Sequence, residues 1–487
     1  MLILPIRIEE VVLYNKRGMK IEFEKIGINK WRIKRLPEMR AEAVIYAKES
    51  LLREAERDLS LEQLTDAASL PRVISPVIGM PDIHEGFGLP IGGVMATDGL
   101  VSVGAVGMDI NCGVRLLKSQ LKYDEKKFSQ EQLRQLIGEI VRWIPIGLGG
   151  ERKKHPLDLN QKEIVEKGVF YLKEKGLASD ADIESTEESG RLAGANFASL
   201  TERAKQRAIN QVGTLGSGNH FMEIQKLTEI FDEKIAEAFG LFKNQICVMI
   251  HCGSRALGHQ TCVDYTELFW KMERKYKIDV LRKGLAALPV DVPEGKKYFE
   301  AMAASVNFAF CNRQVITYFV REVFERVFGL EGKLELVYDV AHNIAKWEEH
   351  RGKRILVHRK GATRALPAGH KQNPKKYMKT GHPAIVPGSM GTSSYVMVGL
   401  PKNEETFDSI NHGAGRLMSR GAAKRSISKN DFEASMRKVV YNMPFYKILD
   451  EAPGAYKNIE DVVETLVEAG LTKKVVRLEP LAVIKGD

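Results

Sequence analysis

Nothing in these 487 residues marks a domain boundary. There is no Pro/Ser-rich linker, no low-complexity tract and no repeat of fixed period. Length alone would allow roughly two to four domains. With no seam to cut at, one large interlocked domain over residues 1–487 is the expectation. The same continuity closes off several classes. The longest aliphatic runs are short, as in Ile246-Cys247-Val248-Met249-Ile250, so no membrane-crossing helix of about 20 apolar residues fits. The apolar start, Met1 to Glu10, is too short for a signal peptide and soon meets acid. The five cysteines are an odd number and contain no C-x-x-C pair. That points to a reducing cytoplasm and away from a disulfide framework or a Cys-rich zinc module.

Two periodicities alternate along the chain. A helix is expected from about Glu38 to Arg57, where good helix formers carry an apolar stripe. Gly295 to Phe328 reads as one long helix, or two joined, with Phe299, Met302, Val306, Phe310 and Val315 near a helical period. Ser428 with Asp431 reads as a capping box opening a helix to about Tyr441. Val462, Val463, Leu466 and Val467 form a helical stripe closed by Gly470. Strand-like runs lie between them, at Gln245 to Ile250, Leu334 to Val340, Ile355 to His358 and Ser394 to Val398. The fold class expected is α+β, with the polar residues of interest in Gly-rich turns at strand ends.

Charge is unevenly spread. Lys and Arg number 73 against 63 Asp and Glu, a net +10. Between Glu349 and Glu404 there is no acid at all. Eleven basic residues stand there: Arg351, Lys353, Arg354, Arg359, Lys360, Arg364, Lys371, Lys375, Lys376, Lys379 and Lys402. With no acid alongside to pair with, this stretch is expected to meet a phosphate-rich ligand; the plainer reading is a solvated face.

Several histidines lie in turns dense with Gly and Asn: Pro81-Asp82-Ile83-His84-Glu85-Gly86, Gly216-Ser217-Gly218-Asn219-His220, His251-Cys252-Gly253-Ser254-Arg255, Ala341-His342-Asn343 and Asn411-His412-Gly413-Ala414-Gly415-Arg416. Glycine lets a backbone approach a ligand closely, and Asn tolerates left-handed turns. Gly107-Met108-Asp109-Ile110-Asn111-Cys112-Gly113 adds a carboxylate and a thiol three positions apart. Asp109 and Cys112 could reach one metal, or Cys112 could bridge two, since a bound thiolate can donate to two cations. The alternative is a Cys112 that serves as a small buried hydrophobe. His220, His251 and His342 extend the donor set, which brackets Zn and Mn without choosing between them.

Two absences narrow the chemistry. No G-x-x-x-x-G-K-[ST] occurs, so a P-loop is not expected, and no Lys-x-Asp-Gly occurs, so nucleotidyl transfer to lysine is not indicated. His412 is the candidate nucleophile instead: a neutral imidazole can attack phosphorus and leave again. The glycines around it would admit phosphate oxygens, and Arg416 would offset their charge. Pro387-Gly388-Ser389-Met390-Gly391-Thr392 is a second turn that could cradle phosphate or ribose.

Taken together these stretches resemble the RtcB-type RNA-splicing ligases, which join RNA ends with GTP and manganese. The matching segments include Met80 to His84, Pro90 to Val94, Asp109 to Arg115, Gly213 to Phe221, His251 to Arg255, Ala341 to Asn343, His358 to Arg364, Pro387 to Met390, His412 to Arg416 and Lys485-Gly486, in family order across nearly the whole chain. The segment up to about Pro71 and the stretch Leu148 to Ser189 are not carried over; the latter's Lys and Glu richness reads as a solvated helix.

The resemblance implies roles. Asp109, Cys112 and His220 would hold one Mn2+, and Cys112, His251 and His342 a second, with Cys112 bridging. Asn219, His220, Glu223, His342, Asn343, Pro387, Gly388, Ser389, Met390 and Ser394 would line the nucleotide pocket, with Glu223 reading the guanine edge. Gly413, Ala414 and Gly415 would flank the guanylylated nucleophile His412, and Tyr456 and Lys485 would close over the base. Arg255, Arg416 and Arg420 would meet RNA phosphates. The implied fold is the family's own α+β type, and the implied partners are broken or spliced tRNA ends, GTP and an archease-type activator. The implied reaction joins a 3′-phosphate or 2′,3′-cyclic phosphate end to a 5′-hydroxyl end through His–GMP and an RNA-ppG end, in tRNA splicing or RNA repair. A dinuclear metallophosphoesterase is the competing enzyme class; it would use the same ligands but leave His412 and Lys485 without a task.

Overall fold

The computed structural model describes residues 10–14, 18–152 and 156–487. Most of the Met1 to Glu10 start, read above for a signal peptide, lies outside them. The fold is mixed α+β and is organised by two large sheets. The first has the spatial order Glu10–Tyr14, Lys20–Gly27, Lys30–Ile33, Ala43–Tyr46, Val73–His84, Ile91–Thr97, Lys353–Lys360, Asn343–His350. Its neighbours run antiparallel, save that Ala43–Tyr46 lies parallel to Val73–His84. The second runs Glu335–Ala341, Gly113–Lys122, Gln245–Cys252, Phe221–Ile230, Thr472–Ile484, Ser394–Gly399, Ala384–Val386, with Val440–Tyr441 added in parallel to Thr472–Ile484. The chain passes from the second sheet to the first through His342, the one residue between Glu335–Ala341 and Asn343–His350.

The run Ile246 to Ile250 is apolar throughout because its strand is buried on both faces. Ile246, Val248 and Ile250 pack under the helical layer with Val306, Phe308 and Phe310. Cys247 and Met249 point the other way, among Phe432, Met436 and Val483. The helical layer is dominated by Pro293–Phe328, 36 residues long, opened by Pro293 and ended at Gly329. One unbroken helix therefore occupies the stretch expected to hold one or two.

Three local expectations are corrected. Glu38 to Arg57 is not a helix: Ala43–Tyr46 is a strand, followed by the short helix Glu49–Glu54. All four strand residues are buried between sheet neighbours, so pairing and two-sided burial override helix propensity. The Ser428–Asp431 capping box forms, but its helix ends at Met436. Val440 and Tyr441 are drawn off to pair with Ala482 and Val483. The region 148–189 is not a solvated helix. It folds as Gln161–Lys167, Val169–Glu174 and Asp180–Glu184, which bury Ile164, Val165, Val169 and Leu172 in the same cluster as the long helix. No helix among the described residues is long and apolar enough to cross a membrane.

Candidate active site

Four neighbouring strands of the second sheet end at one place. Cys112 immediately precedes Gly113–Lys122, and His220 precedes Phe221–Ile230. His251 is the penultimate residue of Gln245–Cys252, and His342 follows Glu335–Ala341. Antiparallel register sets these ends level: His251 pairs with both Val114 and Phe221, and Ala341 with Gly113. The donors consequently converge. Cys112 Sγ lies 3.4 Å from His220 Nε2 and 3.2 Å from His251 Nε2. His251 Nε2 lies 3.2 Å from His342 Nε2, and His220 Nε2 lies 2.7 Å from Asp109 Oδ2.

Two triads result, Asp109–Cys112–His220 and Cys112–His251–His342, and they share the thiol. These residues fit a pair of metal ions: imidazole nitrogens that face each other at 3.2 Å on neutral rings need a Lewis acid or a proton between them. Burial, with cationic neighbours, holds His251 and His342 well below the usual histidine range. Burial and then Asp109 push the Cys112 thiol up to about 12, so only a cation at the site would make it a thiolate. Burial opposes charge on His220, but Cys252, Cys112 and Asp109 overcome it and raise that imidazole well above its usual value. Asp109 is held by Ser254, whose N–H and hydroxyl donate to its Oδ1 at 3.0 and 3.2 Å. Gly253 makes that approach possible, because a Cβ there would stand 2.2 Å from the Asp109 carboxylate.

Beside the triads opens a cavity of about 290 Å3. Asp109, Asn219, His251, His342 and Asn343 form part of its lining, and the turn Pro387, Gly388, Ser389, Met390 forms another wall. His412, Gly413, Ala414 and Gly415 face them, with Arg416, Arg420, Tyr456 and Lys485 also on the lining. The His412 ring stands 4.9 Å from the His342 ring. Its Nδ1 lies 2.7 Å from Asp82 Oδ2, and the same oxygen accepts from the His412 and Gly413 N–H groups. With Nδ1–H given to the carboxylate, the free lone pair is on Nε2.

Glu223 and Ser394 lie behind the wall and are joined by Gln225, whose Nε2 donates to Glu223 Oε2 (2.7 Å) and Ser394 Oγ (3.2 Å). Ser394 Oγ in turn accepts from Gly388 N–H. Burial raises the Glu223 carboxyl to about 8, against the lowering effects of Gln225 and Lys485.

The three arginines differ. Arg416 spends its donors inside the protein, on Met418 O, Asp450 O, Glu451 and the Tyr456 hydroxyl. Arg255 donates to Thr214 Oγ1 and Gly147 O at 3.1 and 2.7 Å and lies off the cavity lining. It opens its helix at φ +57°, a strained setting for a non-glycine residue. Arg420 is the most open of the three, its side chain 56% exposed, with Nε 3.3 Å from Glu451.

The acid-free stretch divides: Arg351, Lys353, Arg354, Lys371, Lys375, Lys376, Lys379 and Lys402 are exposed, while Arg359, Lys360 and Arg364 are buried. Arg359 is buried in a two-pronged pair with Glu348, at 2.5 and 2.9 Å. Arg364 lies 3.2 Å from both Glu187 and Glu188. Lys371 pairs with Glu349. Lys360 lines the cavity but donates to the carbonyls of Phe87 and Gly104, and burial pushes its ammonium down to about 7. The two buried arginines find their acids outside the stretch, at Glu348 just before it and at Glu187 and Glu188 far upstream.

Two residues of the site escaped the sequence reading. Asp82 sits in the turn Pro81 to Gly86, yet nothing in that turn joins it to His412. Glu451 is a buried carboxylate that accepts from Tyr456 and Arg416 and lies 3.8 Å from Lys485 Nζ; no motif contains it.

The family model described as tRNA-splicing ligase RtcB matches residues 63–486. The chain belongs to the RtcB family. Among RtcB relatives, the tRNA-splicing ligase RtcB of Archaeoglobus fulgidus is 45% identical over 479 residues, 95% of this chain and 98% of the relative. That of Thermococcus kodakarensis is 42% identical over 483 residues, 96% of this chain and 99% of the relative. That of Nanoarchaeum equitans is 44% identical over 484 residues, 96% and 100%. The RtcB match begins at residue 63, so most of the stretch to Pro71 that sequence reasoning set aside lies before it.

Proposed function

We propose that this RtcB-family chain is a GTP-dependent RNA ligase that joins 3′-phosphate or 2′,3′-cyclic phosphate ends to 5′-hydroxyl ends of tRNA or damaged RNA, working in the cytoplasm as one catalytic unit. One observation carries the mechanistic reading: His412, its Nδ1 tied to Asp82, stands beside a shared-thiol donor cluster on the wall of one cavity. Asp109, Cys112 and His220 would hold one Mn2+ and Cys112, His251 and His342 another, in turns at strand ends. When bound, the metals would polarise the α-phosphate of GTP and stabilise attacking and leaving oxygens.

The chain's own residues supply the rest. Glu223, with Ser394 behind the Pro387–Met390 turn, would read guanine, and Tyr456 and Lys485 would close over it. His412 Nε2 attacks the α-phosphorus; the N–P bond forms as the Pα–O bond to pyrophosphate breaks. Asp82 keeps the proton on Nδ1 and stabilises the charge that develops on the ring. A cyclic end is first opened by water, its P–O2′ bond breaking to leave a 3′-phosphate and a 2′-hydroxyl; an oxygen of the RNA 3′-phosphate then takes the guanylyl group and frees the imidazole. The 5′-hydroxyl oxygen attacks the activated 3′-phosphorus; the new phosphodiester forms, GMP leaves, and the hydroxyl proton passes to solvent or base. Arg420, the more exposed of the two, and Arg255 would meet RNA phosphates. Arg416 acts by bracing Tyr456 and Glu451.

The test is His412→Ala. Mass spectrometry after GTP and Mn2+ should show one added GMP on the wild type and none on the variant, with metal content unchanged. The variant should still join a pre-made RNA-ppG end, which already carries the activated phosphate. GMP uptake by His412→Ala would move the nucleophile elsewhere. A metallophosphoesterase would take up no GMP in either form.

A further inference from the structure

We propose that Arg313 is a positioning residue for the donor cluster, tying together the backbone segments that carry Cys112, His251 and His342. It rests on the metal reading above. Arg313 lies in the middle of the long helix, is fully buried and touches none of the donor atoms named for the metals. Its guanidinium reaches three segments at once. Nη1 donates to the carbonyls of Asn111 and Cys252, each at 2.8 Å. Nη2 donates to Asn111 Oδ1 at 3.2 Å. Nε donates to the Asp339 carboxylate at 3.0 Å, and Nη2 lies 2.8 Å from Asp339 Oδ1.

Each partner neighbours a donor. Asn111 precedes Cys112, and Cys252 follows His251. Asp339 lies on Glu335–Ala341, whose end delivers His342. Backbone bonds complete the tie: His342 N–H donates to Cys112 O at 2.9 Å, and Asn111 N–H to Asn343 O at 2.7 Å. Asn111 is held in the left-handed region, φ +53°, with its amide donating to Val306 O on the same helix. The sequence makes room for the clamp. A Cβ on Gly113 would fall 3.1 Å from Arg313 Cζ and 2.6 Å from Val340 O, so the glycine after Cys112 lets the guanidinium sit under the turn.

A planar fork of fixed donors suits this task, and a lysine cannot repeat it, because one ammonium cannot reach two carbonyls and a carboxylate together. Outer partners of metal ligands act by fixing orientation, and their loss commonly lowers metal affinity about 10–100-fold.

The experiment uses the full-length protein stripped of metal. Folding of wild type, Arg313→Lys and His412→Ala is checked by circular dichroism and thermal midpoint. Mn2+ affinity is measured by competition with a fluorescent chelator, and the loaded proteins are compared by electron paramagnetic resonance. Arg313→Lys should fold, bind Mn2+ at least tenfold more weakly and show an altered Mn2+ spectrum, while His412→Ala matches wild type in both. Affinity within twofold of wild type with an unchanged spectrum would overturn the clamp. Should Arg313→Lys not fold, Asn111→Ala is read in the same way, with at least a threefold loss expected and an unchanged affinity counting against the clamp. A wild-type protein that takes up no Mn2+ would fail the metal reading itself.

Discussion

Asp82 and His412 stand 330 residues apart in sequence and share a hydrogen bond of 2.7 Å. The carboxylate is fully buried at the end of Val73–His84 in the first sheet, while the imidazole stands over donors hung from the second. Because the same oxygen also takes the N–H groups of His412 and Gly413, it fixes both the ring's tautomer and the path of the turn. Asp82→Asn should therefore slow GMP uptake by about 10⁴-fold, the scale seen when an orienting carboxylate beside a catalytic imidazole is made an amide. Metal content should not change. Wild-type uptake rates measured with labelled GTP would remove Asp82 from the mechanism.

Cys112→Ser should lose metal. The hydroxyl is a harder donor, a poorer bridge and far more reluctant to ionise than the thiol it replaces. Elemental analysis should find less than the wild-type metal content, with guanylylation and joining both crippled. Two tightly held ions and full activity would sink the bridging role.

GTP binding should depend on pH through Glu223. Its carboxyl titrates near 8 in the free protein because it is buried. To accept from the guanine N–H edge it must be ionised, so binding below that pH releases a proton. Affinity should rise up to about tenfold per pH unit from 6 toward 8 and level off above. Glu223→Gln should weaken binding and flatten this slope. An equally steep slope in the variant would assign the proton to another group.

Removing Arg359 should cost stability and leave RNA binding largely alone. The pair with Glu348 is buried on both sides, and Arg359→Ala takes the two-pronged partner from a carboxylate that Arg359, with His350 and Lys346, holds well below its usual range against burial. Loss of one partner of such a pair costs about 3–5 kcal/mol. Denaturant unfolding measures this directly. If the folded variant instead shows a shallower salt dependence of RNA binding, the residue meets phosphate after all.

What the sequence discloses depends on the range of the signal. The helix Pro293–Phe328 is readable in extent to within two residues because its apolar period runs on from Gly295 to Phe328, although the period does not say whether one helix or two fill it. Ala43–Tyr46 is not, because a four-residue strand buried on both faces shows no alternation, and its neighbours supply helix formers. The donors of the cluster are readable as residue types in Gly-rich motifs, and the cavity gathers most of the motif residues on one wall or another. Asp82 as partner of His412 is unreadable, since nothing local records a contact over 330 positions. The pairing of Arg364 is unreadable for the same reason: it finds its acids at Glu187 and Glu188, more than 170 positions upstream.

Hanging the donors on the level ends of four adjacent strands also makes the cluster a gauge of assembly. Side chains on a strand alternate between faces, so a slip of one residue in Gln245–Cys252 would exchange His251 for a neighbour and turn it away from Cys112. A chain with that strand astray would have lost the Cys112–His251 approach. On the proposed metal reading, Mn2+ uptake would report that register as well as binding, and Mn2+ added during refolding should favour correctly paired chains over those refolded with chelator.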